Sequence, residues 1–218
     1  MAIARERLVR IAKVSLICAL AAAANLLVMF PRDLLQVSLF LDTVFTVAVT
    51  FALGPVAGVV VAMLTWALGG VLGIGLQRFH PFVLVAVFEV LVVHWLRPAS
   101  RLPAQGPLRG SEEWDDRVFR LFGVFLRLTT VYAACVVAVS VMGGVIDFLY
   151  HTVLGAERPY YTGISVLMTA VSRDGVPTLL WGILSRVQIV FLDRLFVVFG
   201  GYLVSLAIAR FAGPRPVG

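Results

Sequence analysis

The run IAKVSLICALAAAANLLVMF, residues 11–30, decides what kind of protein this is. Wound as an α-helix, a run of that length rises about 30 Å, the thickness of a bilayer's hydrocarbon core. Lys13, near its start, is its only charged residue. Lipid offers no partner to a backbone N–H or C=O, so such a run is stable in a membrane as a helix that closes its own hydrogen bonds. The preceding Arg5, Arg7 and Arg10, with Lys13 and the small residues Ala21-Ala22-Ala23-Ala24-Asn25, also resemble a secretory signal with its cleavage site. The run is longer than an ordinary signal core and more apolar runs follow, so a retained first span is expected.

Outward from this run, further apolar stretches lie at about 36–53, 56–74, 81–96, 118–142 and 187–211. Pro31-Arg32-Asp33 reads as the first loop. Gly54-Pro55 reads as a tight turn, because glycine accepts unusual dihedrals and proline cannot continue a helix. Pro81 suits the first position of a fourth helix. The polar segment 97–117 holds Pro98, Pro103 and Pro107. Glu112, Glu113, Asp115 and Asp116 then stand before the fifth helix, where carboxylates suit the positive end of its dipole. Gly143-Gly144 reads as an end or bend of that helix, and Asp147 to Asp174 as a short surface element. Pro177 reads as the start of a short helix to Leu184, and a re-entrant segment would fit within Tyr160 to Leu184. The expected fold class is all-α: a polytopic membrane protein with six transmembrane helices, one integral domain over 1–218, and a cytoplasmic loop at 97–117.

Composition agrees. The chain is 61% hydrophobic and 14% charged, against about half apolar and a quarter charged in soluble domains. Six spans leave no length for a soluble catalytic domain. The net charge of +6 comes from 18 basic residues, of which Lys13 is the only lysine. They flank apolar runs instead of clustering with aromatics, which argues for membrane topology and against nucleic acid. With the N-terminus cytoplasmic, that side collects Arg5, Arg7, Arg10, Lys13, Arg97, Arg101, Arg109, Arg117, Arg120, Arg210 and Arg215. The other side collects Arg32, Arg78, Arg158 and Arg173. That asymmetry predicts a multi-pass plasma-membrane protein with both termini in the cytoplasm.

Ionisable groups inside spans cost about 2.5–3.5 kcal/mol each on insertion scales, so they turn inward and mark function or fix helix register. Here they are Asp42, Glu89, Arg127, Asp193 and Arg194, with Arg186 near a helix start. Asp42, Thr46 and Thr50 lie on one helix face, with Thr43 beside it. Arg186 and Asp193 share a face two turns apart, while the adjacent Asp193 and Arg194 are expected to point apart and not to pair. The solute-binding set drawn from these is Asp42, Glu89 and Arg186, joined by Asp147 and Tyr150 on the outer side. Glu89 sits near mid-span, and Asp42 and Arg186 belong to the outer half. Phe79, Phe82, Tyr150, Tyr160 and Tyr161 read as an interfacial belt or as a lid that stacks on a ligand.

Catalytic and cofactor motifs are missing from the sequence. His80, His94 and His151 have no metal spacing and no H-E-x-x-H helix forms. No G-x-S-x-G elbow occurs, and the glycines at 69–75 do not match a phosphate loop. Cys18 and Cys135 fall inside apolar runs and read as small buried hydrophobes. No cofactor and no catalytic activity are expected, and any ATP dependence would come from a partner. Small residues repeat at four-residue spacing as Ser15, Ala19 and Ala23, and as Gly54, Gly58 and Ala62. Such stripes let helices approach closely in lipid, either within the chain or against a partner subunit.

Together, the six spans, the basic N-terminus, the small-residue spacing of the first helix and the run Leu53-Gly54-Pro55-Val56-Ala57-Gly58 resemble a known family. They look like the substrate-capture (S) components of energy-coupling factor (ECF) vitamin transporters. The run Asp193 to Tyr202 is similar to the last helix of S-component-like proteins, some of which are fused to signalling modules. The resemblance implies an S-component-like bundle that binds a micronutrient with high affinity in a pocket facing outward. It also implies a transmembrane coupling subunit docked on the first helix at Ser15, Ala19 and Ala23, and two ATPases. The stripe here starts with Ser15 where the family pattern has alanine. The expected function is therefore solute uptake. The alternative is a membrane sensor or scaffold of the same fold, and a third reading is a lipid-acting enzyme with Glu89 or Asp42 as base.

Overall fold

The computed structural model describes residues 2–35, 41–73, 82–97, 112–154 and 178–212. The chain is helical over nearly all of these residues. Helix α1 spans Ala2–Leu35. A 3-10 turn, Leu41–Thr43, leads into α2, Val44–Leu53. Then come α3, Pro55–Leu72, and α4, Val83–Leu96. Helix α5 is Glu112–Asp147, followed by a π-helical turn, Phe148–Val153. Helix α6, Thr178–Leu195, continues through a second π-helical turn, Phe196–Gly200, into α7, Gly201–Ala212.

Helix α2 is the centre. Thr46, Val47, Ala48, Val49 and Thr50 are buried in succession, so every side of the helix is covered. Helices α1, α3, α4 and α7 pack around it. A helix enclosed on all sides has to be apolar all round or satisfy its own hydroxyls, and Thr50 Oγ1 donates to Thr46 O at 2.8 Å. The Gly54-Pro55 turn forms as expected. Gly54 takes φ 108°, open only to glycine at little cost, its N–H reaches Thr50 O at 3.0 Å, and Pro55 opens α3. One turn on, Gly58 lies against Thr50, and an added side-chain carbon there would sit 3.1 Å from Val90 Cγ1. At the other contact, the same carbon on Gly201 would lie 3.0 Å from Val44 O. Glycine thus brings both α3 and α7 close to α2.

Four sequence expectations are corrected. Helix α1 continues through Pro31-Arg32-Asp33 instead of looping there. Proline is tolerated in membrane helices, where ending the helix would strand more backbone groups than proline removes. The acids Glu112, Glu113, Asp115 and Asp116 lie inside α5, and α5 passes through Gly143-Gly144 without ending. Gly144 faces Ile183 of α6 so closely that an added carbon would lie 3.0 Å from Ile183 Cα. The glycine pair is therefore a packing seam. Finally, no break separates a short helix to Leu184 from a span starting at Val187, since α6 runs across both. The suggested re-entrant stretch falls mostly outside the described residues.

The interior has three apolar clusters. Ile17, Cys18, Ala21 and Ala22 of α1 meet Val49, Ala57 and Val61. Val47, Val93, Leu128, Val131 and Cys135 meet Val197 and Val198. Val85, Val136, Val139, Ile146 and Val190 form the third. The two cysteines are buried and unbridged. The outside is equally apolar: Leu20, Leu27, Phe119, Phe122 and Leu203 are among many large side chains left uncovered. That arrangement suits lipid as the solvent. Four helical stretches are long and apolar enough to cross a membrane: Arg5–Val28, Pro55–Leu72, Val118–Asp147 and Gly182–Ala212. Leu41–Leu53 and Val83–Leu96 are shorter apolar helices. The architecture is that of an all-α protein compatible with multiple membrane passes.

Candidate functional site: two charge groups along one helix

Helix α6 carries both groups of interior charge. The deeper one is built on Arg194, whose side chain is 4% exposed. Its Nη1 donates to both carboxylate oxygens of Glu89 on α4 and, at 2.8 Å, to Thr43 Oγ1 just before α2. Its Nε and Nη2 donate to Asp193 Oδ2 at 2.9 and 2.6 Å. Glu89 and Asp193 are as buried as the arginine, and Asp42 stands next to Thr43 in the same 3-10 turn. One planar cation with five donors in a fixed fork thereby ties three parts of the chain together.

This arrangement overturns the expectation that Asp193 and Arg194 do not pair. Their Cβ atoms do point apart, but the arginine stem is long enough to fold back along the helix. In lipid that path is favoured, because an unpaired guanidinium at this depth has no water to turn to.

The second group lies about 12 Å away along α6, eight residues nearer its start. Arg186 Nη2 meets Asp147 Oδ1 at 3.3 Å, with side chains 21% and 20% exposed. The guanidinium carbon stands 5.3 Å from the centroid of the Phe82 ring, a cation–π distance. Gly143 leaves the space that the arginine fills: an added carbon there would lie 3.3 Å from Arg186 Nη1. Phe82 precedes α4, Asp147 ends α5 and Arg186 lies at the middle of α6. The pair therefore sits at the end of the bundle opposite the Gly54-Pro55 turn, and it is only partly covered.

The expected site residues thus separate. Asp42 and Glu89 belong to the deep group, while Arg186 and Asp147 pair in the shallow one. Tyr150 lies in the π-helical turn after Asp147, and its side chain is outside the described residues. Ser15, Ala19 and Ala23 are all exposed, while Ile17, Cys18, Ala21, Ala22, Asn25 and Leu26 form the inward face of α1. The other small stripe, Gly54, Gly58 and Ala62, is buried and serves packing within the chain.

Two residues escaped the sequence-based site. Arg194 is the hub of the deep group, and its position within an apolar span was the available signal. Asn25, fully buried, is a second polar hub. Its Nδ2 donates to Thr46 Oγ1 at 2.9 Å and Thr65 Oγ1 at 3.1 Å, and its Oδ1 accepts from the Phe45 N–H at 3.1 Å. It locks α1 to α2 and α3, and an asparagine in an otherwise apolar span was its signal. Among the described residues, no cluster of His, Cys, Asp or Glu is arranged to hold a metal ion. No protein-family model matches this chain, nor does any curated protein or solved structure.

Proposed function

We propose that this chain is the solute-binding subunit of a membrane uptake system, an S-component-like protein that crosses the bilayer six times with both termini cytoplasmic. It captures a small polar solute, such as a vitamin or other micronutrient, from the outer side. A transmembrane coupling subunit and ATPases supply the energy. The observation that carries this reading is the pair of charge groups along α6. Arg186 and Asp147 are partly open at one end of the bundle, and the Arg194 group lies enclosed about two turns deeper. Interior charge in a membrane protein is expensive and by default functional. An ion pair with an aromatic face beside it offers both signs of charge and a stacking surface to an entering solute.

The outward face of α1 supports the partner. Ser15, Ala19 and Ala23 are left uncovered by the chain's own helices, so a second transmembrane helix has room to pack closely there. The same face also favours a second reading, a sensor or scaffold that binds a partner protein and does not drive transport. ATP-driven solute accumulation in vesicles, reconstituted with coupling subunits, separates the two.

The first test is thermal unfolding of the purified protein against a panel of vitamins and nucleobases. The expected result is stabilisation by one solute class, and no stabilisation by any of them would sink the proposal. Asp42→Ala is expected to weaken solute binding more than it lowers expression. Equal loss of both would make Asp42 a structural anchor only.

A further inference from the structure

We propose that the start of α1, together with Arg210, is a binding collar for the headgroups of anionic phospholipids. This goes beyond solute uptake and depends only on the chain residing in a membrane. Helix α1 has 34 residues and is about 51 Å long, whereas the hydrocarbon core is about 30 Å thick. Its inward packing begins near Val14, which rests on the same apolar cluster as Ile208 and Ala212 near the end of α7. Residues 5–13 are all exposed, so this segment projects beyond the bundle at the membrane boundary.

The projecting segment has two unlike ridges. Arg7, Arg10 and Lys13 follow at three-residue spacing and line one side of the helix. Leu8, 68% exposed, lies across the helix from Arg10, and Ile11, 63% exposed, lies across from Lys13 and one turn on from Arg7. Arg5 adds a charge one turn earlier, and Glu6 is the only acid within residues 2–13. Arg210, also exposed, lies between Ile208 and Ala212, which rest on the same apolar cluster as Val14. A soluble acidic partner would satisfy the arginines but leave Leu8 and Ile11 in water. An anionic headgroup with its acyl chains satisfies both ridges at once: phosphate on the basic ridge, hydrocarbon on the apolar one. That double match selects lipid as the occupant.

The test uses the full chain, purified and placed in nanodiscs of phosphatidylcholine with or without phosphatidylglycerol. Lipids retained after detergent extraction are identified by native mass spectrometry. The wild type is expected to retain phosphatidylglycerol selectively, and less of it as salt rises. The combined variant Arg7→Gln/Arg10→Gln/Lys13→Gln is expected to lose at least about tenfold of that preference. Arg7→Lys/Arg10→Lys is expected to keep it. Equal retention of both lipids by the wild type, or insensitivity of its binding to salt, would overturn the proposal even if the glutamine variant failed to fold. So would an unchanged preference in a folded glutamine variant. Binding of soluble polyglutamate without selectivity for phosphatidylglycerol would overturn it in favour of a protein partner.

Discussion

At the residue scale, the two polar hubs differ in what their loss leaves behind. Arg194→Ala leaves Glu89 and Asp193 as buried carboxylates without the Arg194 cation, a loss of about 3–5 kcal/mol by analogy with broken buried pairs. The expected readout is a large drop in thermal midpoint in detergent, and a midpoint within a degree or two of wild type would contradict the placement of the guanidinium. Asn25→Ala removes three hydrogen bonds but no charge. Both threonines can turn to helix carbonyls as Thr50 does, so the expected loss is smaller, on the order of 2 kcal/mol. It should be read by the same unfolding measurement. The sequence made the presence of these residues legible, since a charge or an amide within an apolar run stands out. Pairing was not legible. Whether Glu89 meets Arg186 or Arg194 depends on how α4 faces α6, and no spacing within a single helix carries that information.

At the element scale, glycine sets how near the helices come. The carbon added by Gly144→Ala would meet the backbone of Ile183, which cannot swing aside as a side chain does. A loss of about 1–3 kcal/mol is expected, together with weaker packing of α5 on α6, visible as faster proteolysis between them. Gly123 lies in the same helix with open space around it. Gly123→Ala is expected to gain about 0.5–1 kcal/mol from helix propensity alone. If the two variants behave alike, the seam at Gly144 is not a close contact. The sequence located the Gly54-Pro55 turn correctly because that geometry is local. It read Gly143-Gly144 as an end or bend of the helix, whereas α5 runs on through the pair; glycines end a helix or seat a close neighbour, and only the neighbouring helix decides which.

At the scale of the whole molecule, α1 divides its circumference between the fold and the outside. Ile17, Cys18, Ala21, Ala22 and Asn25 hold it to α2 and α3, while Ser15, Ala19 and Ala23 face away. Ala19→Trp is therefore expected to leave the midpoint of thermal unfolding unchanged and, on the proposed uptake function, to abolish binding of the proposed coupling subunit. Loss of stability would mean that this face is occupied within the chain. The all-helical class followed directly from run length and hydropathy. The passage from α6 into α7 was also legible, since the expected span 187–211 runs through Asp193 and Arg194, but the joining of Leu184 to Val187 was not, because Arg186 interrupts the apolar pattern there. The π-helical turn at Phe196–Gly200 joins α6 to α7, and it holds a surplus residue relative to regular winding. Each residue turns an α-helix by roughly 100°, so that surplus sets the angular phase between Arg194 on one side and Gly201 on the other. Trimming the turn by one residue would let only one of them keep its seat, either the guanidinium beside Glu89 or the glycine against Val44.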